Sequence, residues 1–269
     1  MLKGLAADRA VLRIGGADAR DFLQDLVSND VDRAGEGAAV YAALLTPQGK
    51  YLFDFFVLRD GDSFLLDVAA ARAQALAQRL AMYRLRREAT IAPAGLSAAL
   101  CWGDEAPPAP EGAIPVPDPR EKRLGWRLYA PDAAAALAAA GAAPADRAAY
   151  DALRVALAIP ESGVELIPED TYILEAGFER LNGVDFHKGC YVGQEIVARM
   201  KHKAELRKGL ARVAVEGEAP PPGTAIETED GRPAGTLFTT AGGEGLAHLR
   251  FDRAKGEMRA GAARLRRID

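Results

Sequence analysis

Val40-Tyr41-Ala42-Ala43-Leu44-Leu45-Thr46 and Tyr51-Leu52-Phe53-Asp54-Phe55-Phe56-Val57-Leu58 flank the tetrapeptide Pro47-Gln48-Gly49-Lys50. Two apolar, β-rich runs joined by a Pro/Gly turn predict a β-hairpin. Asp60-Gly61-Asp62 predicts the next turn, leading into a strand over Phe64 to Val68. Upstream, Ala10 to Ile14 reads as a strand. Asp18 reads as the N-cap of a helix carrying Phe22, Leu23, Leu26 and Val27 on one face. Ser28-Asn29-Asp30 ends that helix, because such side chains hydrogen-bond their own backbone and favour a turn. Downstream, Ala69 to Leu85 has helical composition, followed by strands over Ala89 to Pro93 and Ala98 to Trp102. The order β-α-β-β-β-α-β predicts an α+β fold of the split βαβ kind, an antiparallel sheet backed by helices.

Asp104 to Pro119 contains six prolines and reads as a linker. A strand over Leu124 to Tyr129, a helix over Asp132 to Ala140 and a helix over Tyr150 to Ala158 follow. After Arg212 the texture changes. Short β-type runs (Ala211 to Val215, Thr224 to Glu227, Gly235 to Thr240, Gly245 to Leu249, Ala263 to Arg267) alternate with turns such as Pro220-Pro221-Pro222-Gly223. That spacing predicts a small antiparallel β-barrel. Three segments are expected: 1–103, 104–205 and 206–269.

The chain has 269 residues, 49% of them hydrophobic, and a net charge of −4, so no global pull toward nucleic acid or anionic membrane is expected. No run approaches the ~20 apolar residues that span a bilayer. The N-terminus lacks the pattern of a secretory signal. Two cysteines suit a reducing compartment, read here as the cytoplasm. The absence of an obvious apolar helix or long edge strand favours a monomer.

The chemistry concentrates in Lys188-Gly189-Cys190-Tyr191-Val192-Gly193-Gln194-Glu195-Ile196. Two glycines permit unusual backbone and close ligand approach. A thiol beside a lysine and ahead of a helix lies in positive potential, the setting of a reactive cysteine; a buried cysteine acting as a small hydrophobe is the alternative. His187, Cys190 and His202 do not form a zinc signature, and no protein-only metal site is expected. The basic run Arg199, Lys201, His202, Lys203, Arg207 and Lys208 is either a solvated face or an anion site. Arg154 reads as a partner for a carboxylate, of a ligand or of the protein itself. Gly-rich nucleotide motifs are absent.

Lys188 to Glu195 resembles the Lys-Gly-Cys-Tyr-x-Gly-Gln-Glu signature of the YgfZ family, folate-binding proteins related to the glycine-cleavage T-protein. Phe22-Leu23-Gln24-Asp25-Leu26, Ser28-Asn29-Asp30-Val31, Leu45 to Lys50 with Asp54, and Asn182 to Phe186 extend the likeness. The resemblance implies T-protein-like halves around a central cavity that binds tetrahydrofolate, followed by the barrel. It also implies a role in assembling or repairing iron-sulfur clusters of client enzymes, including those that modify tRNA. Cys190 and Lys188 would form the chemical centre. Asn29, Asp54, Arg154, Gly189, Tyr191, Gly193, Gln194, Glu195 and Arg199 would surround the folate. The T-protein carries two adjacent acids after the hairpin, whereas this chain has Phe53-Asp54. An accessory protein is therefore expected ahead of the alternative, a folate-dependent aminomethyltransferase.

Overall fold

A computed structural model describes residues 1–35, 37–103, 105–202 and 205–268. The strands of the first half are β1 (Lys3–Ala6), β2 (Arg9–Gly15), β3 (Ala39–Leu45), β4 (Tyr51–Asp60), β5 (Ser63–Ala69), β6 (Thr90–Pro93), β7 (Ser97–Trp102), β8 (Ile114–Pro117), β9 (Trp126–Ala130) and β10 (Ala143–Pro144). The helices are α1 (Ala19–Gln24), α2 (Ala70–Arg84), α3 (Ala133–Ala139), α4 (Arg147–Ala156) and α5 (Gln194–Lys201). Strands β11 (Lys208–Glu216), β12 (Thr224–Thr228), β13 (Pro233–Ala241), β14 (Glu244–Arg250), β15 (Met258–Ala260) and β16 (Ala263–Arg267) complete the chain.

The chain divides into two compact units. One comprises residues 1–145 and 179–194, the other 146–178 and 195–269. The expected boundary at 103/104 falls inside the first unit for a simple reason. Strand β1, which the sequence pattern did not reveal, pairs with β7 on one side and with β10 on the other. Residues 105–145 thus complete the sheet that the N-terminus begins. The proline-rich segment is also more than a linker, since Ile114–Pro117 forms edge strand β8 against β9. Proline is tolerated there because an edge strand leaves one row of N–H groups unpaired. Asp104 itself lies outside the described residues.

The first unit holds two five-stranded sheets, ordered β3-β4-β5-β2-β6 and β10-β1-β7-β9-β8. The predicted hairpin forms in register, with Ala43 opposite Asp54 and Leu45 opposite Tyr51. Period-2 alternation decides what each face buries. Phe53, Phe55 and Val57 of β4 join Phe64, Leu66 and Val68 of β5 in a core with Phe22, Leu23, Leu76 and Leu80 from α1 and α2. The intervening residues point the other way: Phe56 and Asp67 meet Arg127 of β9, Asp67 also accepts from Tyr129, and Tyr41 donates to Asp54. So the layer between the two sheets is polar.

Asp18 does not cap α1. Its carboxylate instead accepts the Glu88 N–H at 2.7 Å, tying the strand-helix corner to the segment between α2 and β6. Asp132 and Asp146 do act as N-caps, accepting from Ala135 and Ala149. In the second unit, β11-β14-β13-β12-β15-β16 close a barrel. The closing strand β15 is only Met258–Ala260, too short to register as a hydrophobic run. The barrel interior is filled by Val213, Ile226, Leu237, Leu249, Met258 and Leu265.

Candidate functional site

Ser28-Asn29-Asp30 does more than end a helix; it is the anchor of the signature loop. Ser28 Oγ donates to the Gly183 carbonyl at 2.7 Å and accepts the Ala43 N–H. Asn29 Nδ2 donates to the carbonyls of Tyr41 and Asn182, while its Oδ1 accepts the Asp30 N–H. Asp185 then accepts the His187 N–H and pairs with Arg33. The chain is thus held just before Lys188.

Lys188 is buried, and its ammonium donates to the carbonyl oxygens of Gln24, Val27 and Asn29 at 2.7, 2.7 and 2.9 Å. An ammonium has three donors and no acceptor, so this set uses it completely. The ammonium also lies 5.3 Å from the centre of the Tyr191 ring. Burial pulls the Lys188 amine down to about 8, with Asp30 and Asp185 acting in the opposite sense. Expected beside Cys190 as a chemical group, Lys188 turns its charge into the turn after α1. The same bonds fix the backbone on which Cys190 sits. Cys190 itself is exposed and unpaired, whereas Cys101 is buried and its thiol is pushed up to about 11.

The two glycines of the signature differ in role. Gly193 has φ +86°, and a Cβ there would stand 2.6 Å from the Thr46 carbonyl oxygen in the predicted hairpin turn. Only glycine allows that packing. At Gly189 a Cβ would meet nothing within 4 Å, so the backbone beside Cys190 faces open space. Tyr191 is buried with its hydroxyl pushed up to about 12 by burial, and it exchanges bonds with Gln194 through Tyr191 N–H to Oε1 and Gln194 N–H to the Tyr191 carbonyl. These two residues shape the turn into α5.

Asp54 is buried on β4 and accepts from the Tyr41 hydroxyl at 3.0 Å and the Tyr51 hydroxyl at 2.7 Å. Burial, with the Asp54 charge next, pushes the Tyr41 hydroxyl well above its ordinary range. Tyr41 thus remains a neutral donor. A hydrogen-bonded path connects this carboxylate to the signature: Lys188 to the Asn29 carbonyl, Asn29 amide to the Tyr41 carbonyl, Tyr41 hydroxyl to Asp54.

Beside it lies a cluster that sequence reading missed. Arg127 bridges Asp67 at 2.8 Å and Asp118 at 3.2 Å; Arg120 pairs with Asp118, Arg9 with Asp67, and Tyr129 donates to Asp67 at 2.7 Å. The Arg127 guanidinium sits 3.8 Å over the Phe56 ring and that of Arg120 5.4 Å over Tyr41. Burial alone would raise the carboxyls, but Arg127 and Arg9 at Asp67, and Arg120 and Arg127 at Asp118, hold both below the usual range. The only signal was a polar residue interrupting an apolar strand, as at Asp67 within Phe64 to Val68.

Three expected folate contacts belong to the second unit and are engaged there. Arg154 is corrected outright. It is buried with its guanidinium bonded to Asp151, Glu165, the Ile159 carbonyl and Thr239, so it ties α4 to strand β13 instead of facing a ligand. Glu195 and Arg199 pair with each other along the exposed face of α5 at 2.7 Å. Lys203 of the basic run lies outside the described residues.

Residues 207–268 match the family model for the C-terminal β-barrel domain of CAF17. Over 99% of its length the chain superposes on 84% of the crystal structure of glycine cleavage system aminomethyltransferase T from Bartonella henselae, with a TM-score of 0.80 and 14% identity. The mitochondrial iron-sulfur cluster assembly factor IBA57 of Mus musculus is 34% identical over 93% of this chain and 78% of its own. The human IBA57 gives the same 34%, 93% and 78%, and the Pyricularia oryzae homologue 28%, 91% and 70%. The fold is that of the aminomethyltransferase T structure with a C-terminal barrel, and it carries a clamped loop presenting one cysteine. Within that fold, the chain belongs to the IBA57 family.

The resemblance to YgfZ thus narrows to a different branch of the same fold. The cytoplasmic location is corrected as well, because these relatives are named as mitochondrial. Two cysteines report only that a compartment is reducing, which does not separate one such compartment from another.

Proposed function

We propose that this protein is a tetrahydrofolate-binding factor in iron-sulfur cluster assembly, acting through Cys190. Iron-sulfur assembly is what its IBA57 relatives are named for. The observation that carries the reading is the hydrogen-bonded path from Lys188 through Asn29 and Tyr41 to Asp54. One connected element then holds a buried carboxylate and an exposed thiol in fixed relation.

The donor chemistry suits a pterin. Asp54 accepts from two neutral hydroxyls, and a carboxylate with two oxygens keeps lone pairs for the N–H groups of a pteridine. Asn29, Gly193 and Gln194 support the loop, and Gly189 leaves room beside the sulfur. Bound folate supplies a reduced pterin ring; the residues of this chain orient it and hold the thiol. Cys190, as a thiolate after losing its proton to solvent, would coordinate the iron of a cluster in transit to a client enzyme, displacing a ligand that held it. Clients that modify tRNA fall within this reading.

Aminomethyl transfer is disfavoured by Phe53. The position beside Asp54 that would hold a second acid is packed into the hydrophobic core under the Arg72 guanidinium, 4.8 Å from its ring centre. Calorimetry with tetrahydrofolate, together with alkylation of Cys190, tests the proposal. Heat of binding, and loss of client cluster activity in Cys190→Ser with folate binding intact, are expected. No binding heat, or full client activity in Cys190→Ser, overturns it; turnover with a lipoylated carrier protein would establish the transferase instead.

A further inference from the structure

Segment 70–87 carries five arginines and no acidic residue, within a chain whose net charge is −4. Helix α2 buries Leu76 and Leu80 and leaves its other face in solvent. That face holds Ala71, Gln74, Ala75 and Gln78, short or uncharged side chains, and ends in Met82 and Leu85, which are 68% and 86% exposed. Large apolar side chains this exposed are rare in the chain. Leu85 is also held at φ 47°, ψ −108°, a conformation that suits glycine and not leucine. Arg84 and Arg86 flank it in solvent and have no ion pair among the described residues. Arg87 pairs with Asp25 at the end of α1.

We propose that the solvent face and C-terminal end of α2 form a docking surface for an acidic protein partner. Met82 and Leu85 supply the apolar contact, and Arg84 and Arg86 take carboxylates at its rim. A flat face of Ala and Gln lets a partner helix approach closely. Guanidinium forks match carboxylates bidentately. The charge pattern also selects among occupants. A second copy placed symmetrically on this face would set arginine against arginine. A lipid surface would gain only two large apolar side chains, both at one end of the helix. An acidic partner uses both the charge and the apolar tip.

The test uses the full-length protein and a fluorescent helical peptide with leucines at i, i+3, i+4 and i+7 flanked by glutamates. A scrambled peptide of the same composition is the control. Binding that weakens about tenfold or more in Arg84→Glu/Arg86→Glu, and steeply with salt, is expected. Leu85→Gly relieves the backbone conformation, so its melting temperature holds or rises while peptide affinity falls, a split that a structural role for Leu85 would not produce. Equal binding of the scrambled peptide, or binding indifferent to these substitutions, overturns the proposal. So does arginine-dependent binding to vesicles of phosphatidylcholine and phosphatidylserine in equal parts without peptide binding. Self-association in the ultracentrifuge that disappears in Leu85→Gly overturns it in favour of a second copy.

Discussion

The Lys188 ammonium donates to the Val27 carbonyl oxygen at 2.7 Å across 161 residues of sequence, pinning the cysteine-bearing loop to the turn that ends the first helix. Gln24 and Asn29 complete the set of acceptors, so the lysine closes a backbone cage. Replacing it by methionine leaves three main-chain carbonyls without their donor. Lys188→Met is expected to destabilise by about 3 kcal/mol, since each buried unsatisfied group costs roughly 1–3 kcal/mol and part of the turn relaxes to water. Urea denaturation measures the loss. Alkylation of Cys190 at fixed pH should accelerate with heterogeneous kinetics as its backbone loosens; unchanged stability and a single unchanged rate would refute the clamp.

Signature glycines should respond in opposite ways. Gly193→Ala places a methyl 2.6 Å from the Thr46 carbonyl at positive φ, with an expected cost of about 2–4 kcal/mol. Gly189→Ala meets open space and should stay within about 0.5 kcal/mol of the parent. Thermal melts of the two variants settle the contrast, and equal losses would contradict the packing described.

The buried ion cluster makes an acid-side prediction. Asp67 and Asp118 have carboxyls held below the ordinary range by Arg127, Arg9 and Arg120 against the effect of burial. Folded pKa values below unfolded ones mean stability that is whole above about pH 4 and drains as pH falls through the folded values. Asp67→Asn removes one anion from beside the buried Arg127 and should cost about 3–5 kcal/mol at neutral pH, with a flatter loss below pH 4. Denaturation midpoints measured from pH 7 down to the acid limit provide the check.

If the proposed folate site is right, Asp54 and Arg154 separate ligand binding from architecture. Asp54→Asn exchanges an anionic acceptor for a weaker neutral one, so tetrahydrofolate affinity should fall about ten- to hundredfold. Arg154→Met strands the buried Glu165 carboxylate and should cost about 3–5 kcal/mol while leaving that affinity unchanged. Calorimetry on both variants is decisive: a drop in affinity confined to Arg154→Met would reverse the assignment.

What the residues alone determined is what depends on near neighbours. The hairpin over Val40 to Leu58, helix α2 and the run of barrel strands follow from period-2 or helical patterning and Pro/Gly turns. The loop from Lys188 to Glu195 stood out because its glycines and cysteine make a poor core segment. Other features came only from the folded chain. Arg154 read as a partner for a carboxylate of either a ligand or the protein, and only the fold shows that carboxylates at Asp151 and Glu165 and a hydroxyl from Thr239 enclose it. Lys188 looked like a chemical group, yet carbonyls more than 150 residues away consume its donors. The Asp67–Arg127 cluster joins residues 60 apart on different sheets. Local periodicity encodes which way a side chain points from its own strand. Which donors and acceptors wait there is set by long-range pairing, and that pairing exists only once the sheets have closed on one another.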